Sequence, residues 1–159
     1  MMLGRNLSAK RVKELLQEVE EWHKGKKGSW YKRCFDRIHQ TILKRGALSL
    51  EDLYDVAYWK SRRASKQVRT KNPDRVVRMI TSFALKMPNE RFKIRLLSTL
   101  EGIGVRRASA ILAMSNPEKY GVMDENAWYA LTGEQRSVFN DNDWIWYLRE
   151  IRRLSKKFR

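Results

Sequence analysis

Leu100-Glu101-Gly102-Ile103-Gly104-Val105-Arg106-Arg107-Ala108-Ser109-Ala110-Ile111-Leu112 is the stretch on which the fold turns. A helical pattern stops at Leu100, two glycines flank one apolar residue, and a second helical pattern begins at once. Glycine at 102 and 104 allows φ > 0 and close approach of another backbone. Ile103 can then plug between the two helices. The second helix presents unpaired N–H groups at its start, with Arg106 and Arg107 in its first turn. Backbone donors, helix dipole and cations together make a phosphate site. Ala108 and Ala110 are small, as close helix packing requires.

Outward from this turn, the chain reads as helices. Val12, Leu15, Leu16 and Val19 recur at helical spacing behind Ser8 as N-cap. After a break over Lys24–Gly28, Tyr31, Cys34, Phe35, Ile38 and Ile42 repeat the pattern up to Gly46. Ser49 and Asp52 approximate a capping box for a helix with Leu53, Tyr54 and Ala57 inward. Asn72-Pro73 reads as an N-cap with proline at the first helical position, ahead of Val76, Val77, Ile80 and Ala84. Asn89 caps a helix that turns Phe92, Leu96, Leu97 and Leu100 inward, and a last helix carries Trp144, Leu148, Ile151 and Phe158. No stretch alternates like a strand. The expected fold is all-α, a compact bundle of about eight helices in a single domain over 1–159, because halves would be too small for separate cores. The basic stretches Lys24–Lys27 and Ser61–Lys71 are expected to be exposed loops or short surface helices.

Charge selects the class of partner. Lys and Arg number 34 against 18 Asp and Glu, a formal net charge of +16. Self-repulsion at that level destabilises a compact domain, and polyanion binding offsets it through phosphate neutralisation and counterion release. RNA would satisfy the charge as well as DNA. No apolar run spans a bilayer, and Met1-Met2-Leu3-Gly4-Arg5 does not read as a leader, so a cytoplasmic, nucleoid-associated monomer is expected. One cysteine, Cys34, excludes an intramolecular disulfide and a four-cysteine cluster, and reads as an inert core thiol. His23 and His39 lie on different helices without a ligand pattern, so neither metal nor cofactor is expected.

With its apolar plug and basic first turn, the Gly-x-Gly segment (motif about 89–115) resembles the helix-hairpin-helix DNA-binding motif. Downstream, Tyr120-Gly121-Val122-Met123-Asp124-Glu125-Asn126-Ala127-Trp128 opens another helix at Asp124, where capping alone could explain the aspartate. The order of hairpin, short helix, proline turn at Asn116-Pro117, Val-x-Asp and a Trp-bearing helix (segment 120–131) resembles the helix-hairpin-helix (HhH-GPD) DNA glycosylase superfamily over about 73–132. Trp59-Lys60-Ser61-Arg62-Arg63 and Tyr120-Gly121-Val122-Met123-Asp124 resemble two strings shared by a group of bacterial proteins. The resemblance implies an enzyme acting on damaged or mismatched double-stranded DNA, with Asp124 as its essential carboxylate. Such a carboxylate stabilises the cationic sugar formed as the base departs, and orients water. It must sit near the phosphate clamp that fixes the flipped nucleotide. Where bifunctional members carry a Schiff-base lysine, this chain has Arg106, which cannot form an imine. Hydrolysis alone is therefore implied, with Lys60 as an alternative amine. Gly102, Ile103, Gly104, Arg106, Arg107, Lys60, Arg62 and Arg63 are the implied DNA contacts. Trp59 and Tyr58 could stack on a base or wedge the duplex, although Trp59 fits a core position equally well. A non-catalytic, structure-specific DNA-binding protein is the alternative.

Overall fold

The computed structural model describes residues 7–158. The opening segment Met1–Arg5, read above as lacking a leader, lies outside them. Among the described residues there are nine helices and no strands, in keeping with the expected all-α bundle of about eight. They are α1 (Ala9–Lys24), α2 (Lys26–Arg45), α3 (Leu50–Lys60), α4 (Ser65–Lys71), α5 (Asp74–Lys86), α6 (Glu90–Leu97), α7 (Val105–Ser115), α8 (Glu125–Thr132) and α9 (Asp141–Lys157). No helix among them is long and apolar enough to cross a membrane.

The second helix of the glycine turn is the hub of the bundle. All residues from Ala108 to Met114 on α7 are buried, and α2, α3, α6 and α9 pack around it. A helix apolar on every side belongs in an interior, and Ala108, Ala110 and Ala113 let its neighbours approach closely. Ion pairs fasten α9 across α6: Arg152 grips Glu90 at 2.6 and 2.9 Å, while Arg91 and Arg95 reach Asp141 at 3.0 and 2.6 Å. Cys34 is buried against the core, and Trp144 and Tyr147 of the C-terminal aromatic group are packed inside it.

Local signals hold where they are purely local. Ser49 and Asp52 form the capping box, and Ser8 and Asn89 cap α1 and α6. Four expectations change. Asn72 does not cap α5. It ends α4, and its buried amide donates to Val68 O and Glu101 O while accepting from Glu101 N–H at 2.9 Å, leaving Pro73 at the N-cap. Phe92 faces solvent instead of the core, because Ile94 and Leu97 turn inward together with Lys93, whose Nζ donates to Ala84 O and Leu85 O at the end of α5. The break near Lys24 is confined to Gly25, so Lys26 and Lys27 are already helical. Ser61–Lys71 is, as expected, a turn and a short surface helix: the chain turns through Ala64 (φ 57°) into α4, which anchors itself by burying Val68. Finally, the apolar stripe of α1 does not reach the core. No residue of α1 is buried, and Leu16 and Val19 are 59% and 50% exposed, since α1 packs chiefly on α2.

Candidate nucleic-acid interface and active site

The glycine turn forms through a tightening of α6. Leu100 N–H bonds to Leu97 O and Ile103 N–H to Leu100 O, and Gly102 takes φ +78°. A side chain at 102 would strain the backbone and press Val68 Cγ2 at 2.9 Å. Ile103 is buried as the plug between the helices. Gly104 begins α7 with no side chain capping it, so no side chain competes for the first N–H groups.

The two adjacent arginines do different things. Arg106 stays exposed and meets Glu125 at 2.5 Å. Arg107 folds back: its guanidinium donates to Gly102 O at 2.8 Å, Ser61 O at 2.9 Å and Arg63 O at 2.7 Å. Burial, and secondarily the charge of Arg106, push its pKa down from the ordinary guanidinium value. Arg107 is thus engaged by carbonyls in place of the expected phosphate contact, and ties the loop carrying Arg62 and Arg63 to the glycine turn.

Asp124 is held from several sides. Ser109 Oγ accepts Met123 N–H at 2.9 Å, Tyr147 O–H donates to Val122 O at 2.8 Å, and Met123 is fully buried. The chain therefore reaches position 124 against α7 and α9. Asp124 caps α8, one oxygen accepting Ala127 N–H at 2.8 Å, and the other oxygen accepts Lys60 Nζ at 3.1 Å. Burial opposes its charge, but the Ala127 N–H and the Lys60 ammonium outweigh that and hold its carboxyl below the ordinary carboxylate range. The carboxylate's own charge, after burial, helps push the Tyr147 phenol up.

Asp124 and Lys60 stand between two concavities. One, of about 820 Å³, has Gly102, Gly104 and Arg106 on one wall, with Arg63 and Val138 also lining it. The other, of about 610 Å³, is lined by Trp22, Tyr31, Phe35, Trp59 and Val122 among others. Among the described residues, only Asp124 and Lys60 line both. The Asp124 side chain is 32% exposed and that of Lys60 only 13%.

No family model matches this chain, nor does any curated protein or solved structure.

The expected residues are thus partly gathered. Lys60, Arg63, Gly102, Gly104, Arg106 and Asp124 share one cleft. Trp59 is no free wedge: its indole donates to Tyr31 O at 3.0 Å and its ring packs on Tyr31 and Phe35. Tyr58 lies under the Arg62 guanidinium, 5.1 Å from its ring centre. Among the described residues no cluster of His, Cys, Asp or Glu could hold a metal ion, and His39 Nδ1 pairs with Met114 O. Sequence reasoning missed Glu125 as partner of Arg106, and the aromatic wall of Trp22, Tyr31 and Phe35. The density of rings between Trp22 and Phe35, beside a basic stretch, was the available signal for the wall.

Proposed function

We propose that the protein is a DNA glycosylase that turns one nucleotide out of a duplex and hydrolyses its N-glycosidic bond. One observation carries this: an ionised, partly exposed carboxylate, Asp124, lies in the same cleft as the uncapped start of α7. The backbone N–H groups at Gly104–Arg106, helped by Arg106, Arg62 and Arg63, bind the sugar–phosphate strand. Glu125 releases Arg106 as phosphate replaces it.

The chemistry follows from placement. As the C1′–N bond lengthens, positive charge grows on the sugar, and a fixed carboxylate beside C1′ stabilises it. The same group orients the water that adds to C1′ and receives its proton. Lys60 keeps the carboxylate in one position through its 3.1 Å contact. By the resemblance noted above, Arg106 takes the place of the imine-forming lysine, and the expected products are free base and an intact abasic strand.

A second reading has a specific observation in its favour: Asp124 is already engaged by Ala127 N–H and Lys60, as a purely structural cap would be. It makes the protein a DNA-binding module with no chemistry. Single-turnover incubation of the wild type with duplexes each bearing one lesion or mismatch separates the two. Alkali-labile sites at one or more lesions support the glycosylase. Tight, salt-sensitive binding with every glycosidic bond intact supports the binding module.

A further inference from the structure

We propose that the aromatic concavity beside the Lys60–Asp124 pair is a stacking pocket for an extrahelical purine-sized base, and that α1 exists to supply its outer wall. This rests on the glycosylase reading, in which a nucleotide straddles the pair with its phosphates in the polar cleft and its glycosidic bond at Asp124. The base then enters the second concavity, because among the described residues Asp124 and Lys60 alone are common to both.

The wall is made of ring surface. Trp22, Tyr31 and Trp59 are neighbours at centroid distances of 5.6 and 5.7 Å, and Phe35 lies 6.1 Å from Trp59. Three of the polar groups in its lining are already engaged. Trp59 donates its indole N–H to Tyr31 O, Lys60 meets Asp124, and Lys32 meets Asp36 at 2.6 Å. A pocket of this composition binds through stacking, which tolerates any base and rewards the larger two-ring surface. Selectivity among lesions then comes from weak pairing in the duplex, which lowers the cost of extrusion.

The position of α1 otherwise has no account. It buries no residue, yet it is pinned tightly at its end, where Gly28 of α2 lies so close to the Trp22 carbonyl that any side chain at 28 would collide with it. That contact holds Trp22 beside Tyr31 at the pocket edge while the rest of α1 stays outside the core.

The test uses the full-length protein and isolated bases, so it does not depend on catalysis. 9-Methyladenine, 9-ethylguanine and 1-methyluracil are titrated while the indole N–H signals of Trp22 and Trp59 are followed by NMR. Both purines should shift these signals with affinities within about threefold of each other, and uracil should bind about tenfold or more weakly. Trp22→Ala should weaken purine binding about tenfold with an unchanged unfolding midpoint. Gly28→Val, which pushes α1 away, should weaken purine binding as well, at some loss of stability. Uracil binding as well as the purines, one purine strongly preferred over the other, or Trp22→Ala without effect would each overturn the pocket. If purines bind as stated but no duplex loses a base, the glycosylase reading fails alone. If Asp124-dependent release occurs while the bases ignore Trp22, only the pocket fails.

Discussion

Asn72→Ala should loosen the glycine turn from the body of the protein by an amount the geometry sets. The buried amide makes three hydrogen bonds, at 2.8 Å to Val68 O and 2.9 Å each to Glu101 O and Glu101 N–H. Each contributes about 1 kcal/mol net. Glu101 itself is exposed, so water reaches part of what the substitution orphans and the larger desolvation penalty is reduced. The expected loss is about 2 to 3 kcal/mol, which for a chain of this size lowers Tm by roughly 4–12 °C. Urea denaturation followed by circular dichroism should show the midpoint falling with the slope unchanged. Asn72→Asp should be no better than Ala, because it keeps an acceptor for Glu101 N–H but sets a carboxylate against two carbonyl oxygens. A loss under about 0.5 kcal/mol would refute the staple, and with it the rigid placement of Gly102 relative to α4.

Gly102→Ala should cost about 1–2 kcal/mol from φ +78° alone, with further loss from the Val68 contact, and should weaken duplex binding measured by anisotropy. Arg106→Ala should lower the slope of log K against log salt by about 0.9, as expected for one lost phosphate contact. Arg107→Lys should instead lower the unfolding midpoint, since one ammonium cannot span the three carbonyls its guanidinium holds. Glu90 has its pKa lowered, first by its hydrogen bond with Arg152. A depressed folded-state value stabilises above the ordinary glutamate range and loses that stabilisation as pH falls through the folded value. Glu90→Gln should therefore flatten the fall in stability below about pH 5. Since Lys60 is spent on Asp124 and mostly buried, borohydride should trap no adduct with an abasic duplex; an adduct abolished by Lys60→Met would make Lys60 a nucleophile.

How much could be read from the residues depends on how local each cause is. The Ser49–Asp52 box, the Asn89 cap and the Asp124 cap involve donors three residues away, and each was legible. Asn72-Pro73 was misplaced because an asparagine before proline suits a helix start and a helix end equally, and the deciding partner, Glu101, is 29 residues on. The inward phase of α6 was ambiguous because Phe92, Ile94, Leu96 and Leu97 leave two phases open over so short a helix. The stripe on α1 promised burial, but periodicity shows only that one face is apolar and says nothing of what covers it. Arg106 and Arg107 look alike in sequence; the carbonyls of residues 61 and 63 decide which turns inward. The Lys60–Asp124 contact joins residues 64 apart, and no spacing rule reaches that far.

The most direct measurement is single-turnover base release by Asp124→Asn on the lesion the wild type processes best. Asparagine is as good an N-cap as aspartate, so α8 should stay capped and the fold intact by circular dichroism. Removing the charge takes away the group that stabilises the sugar cation, and release should slow by about 10²–10³-fold. A rate within about twofold of wild type, in a variant with the same unfolding midpoint, would contradict the catalytic role of Asp124.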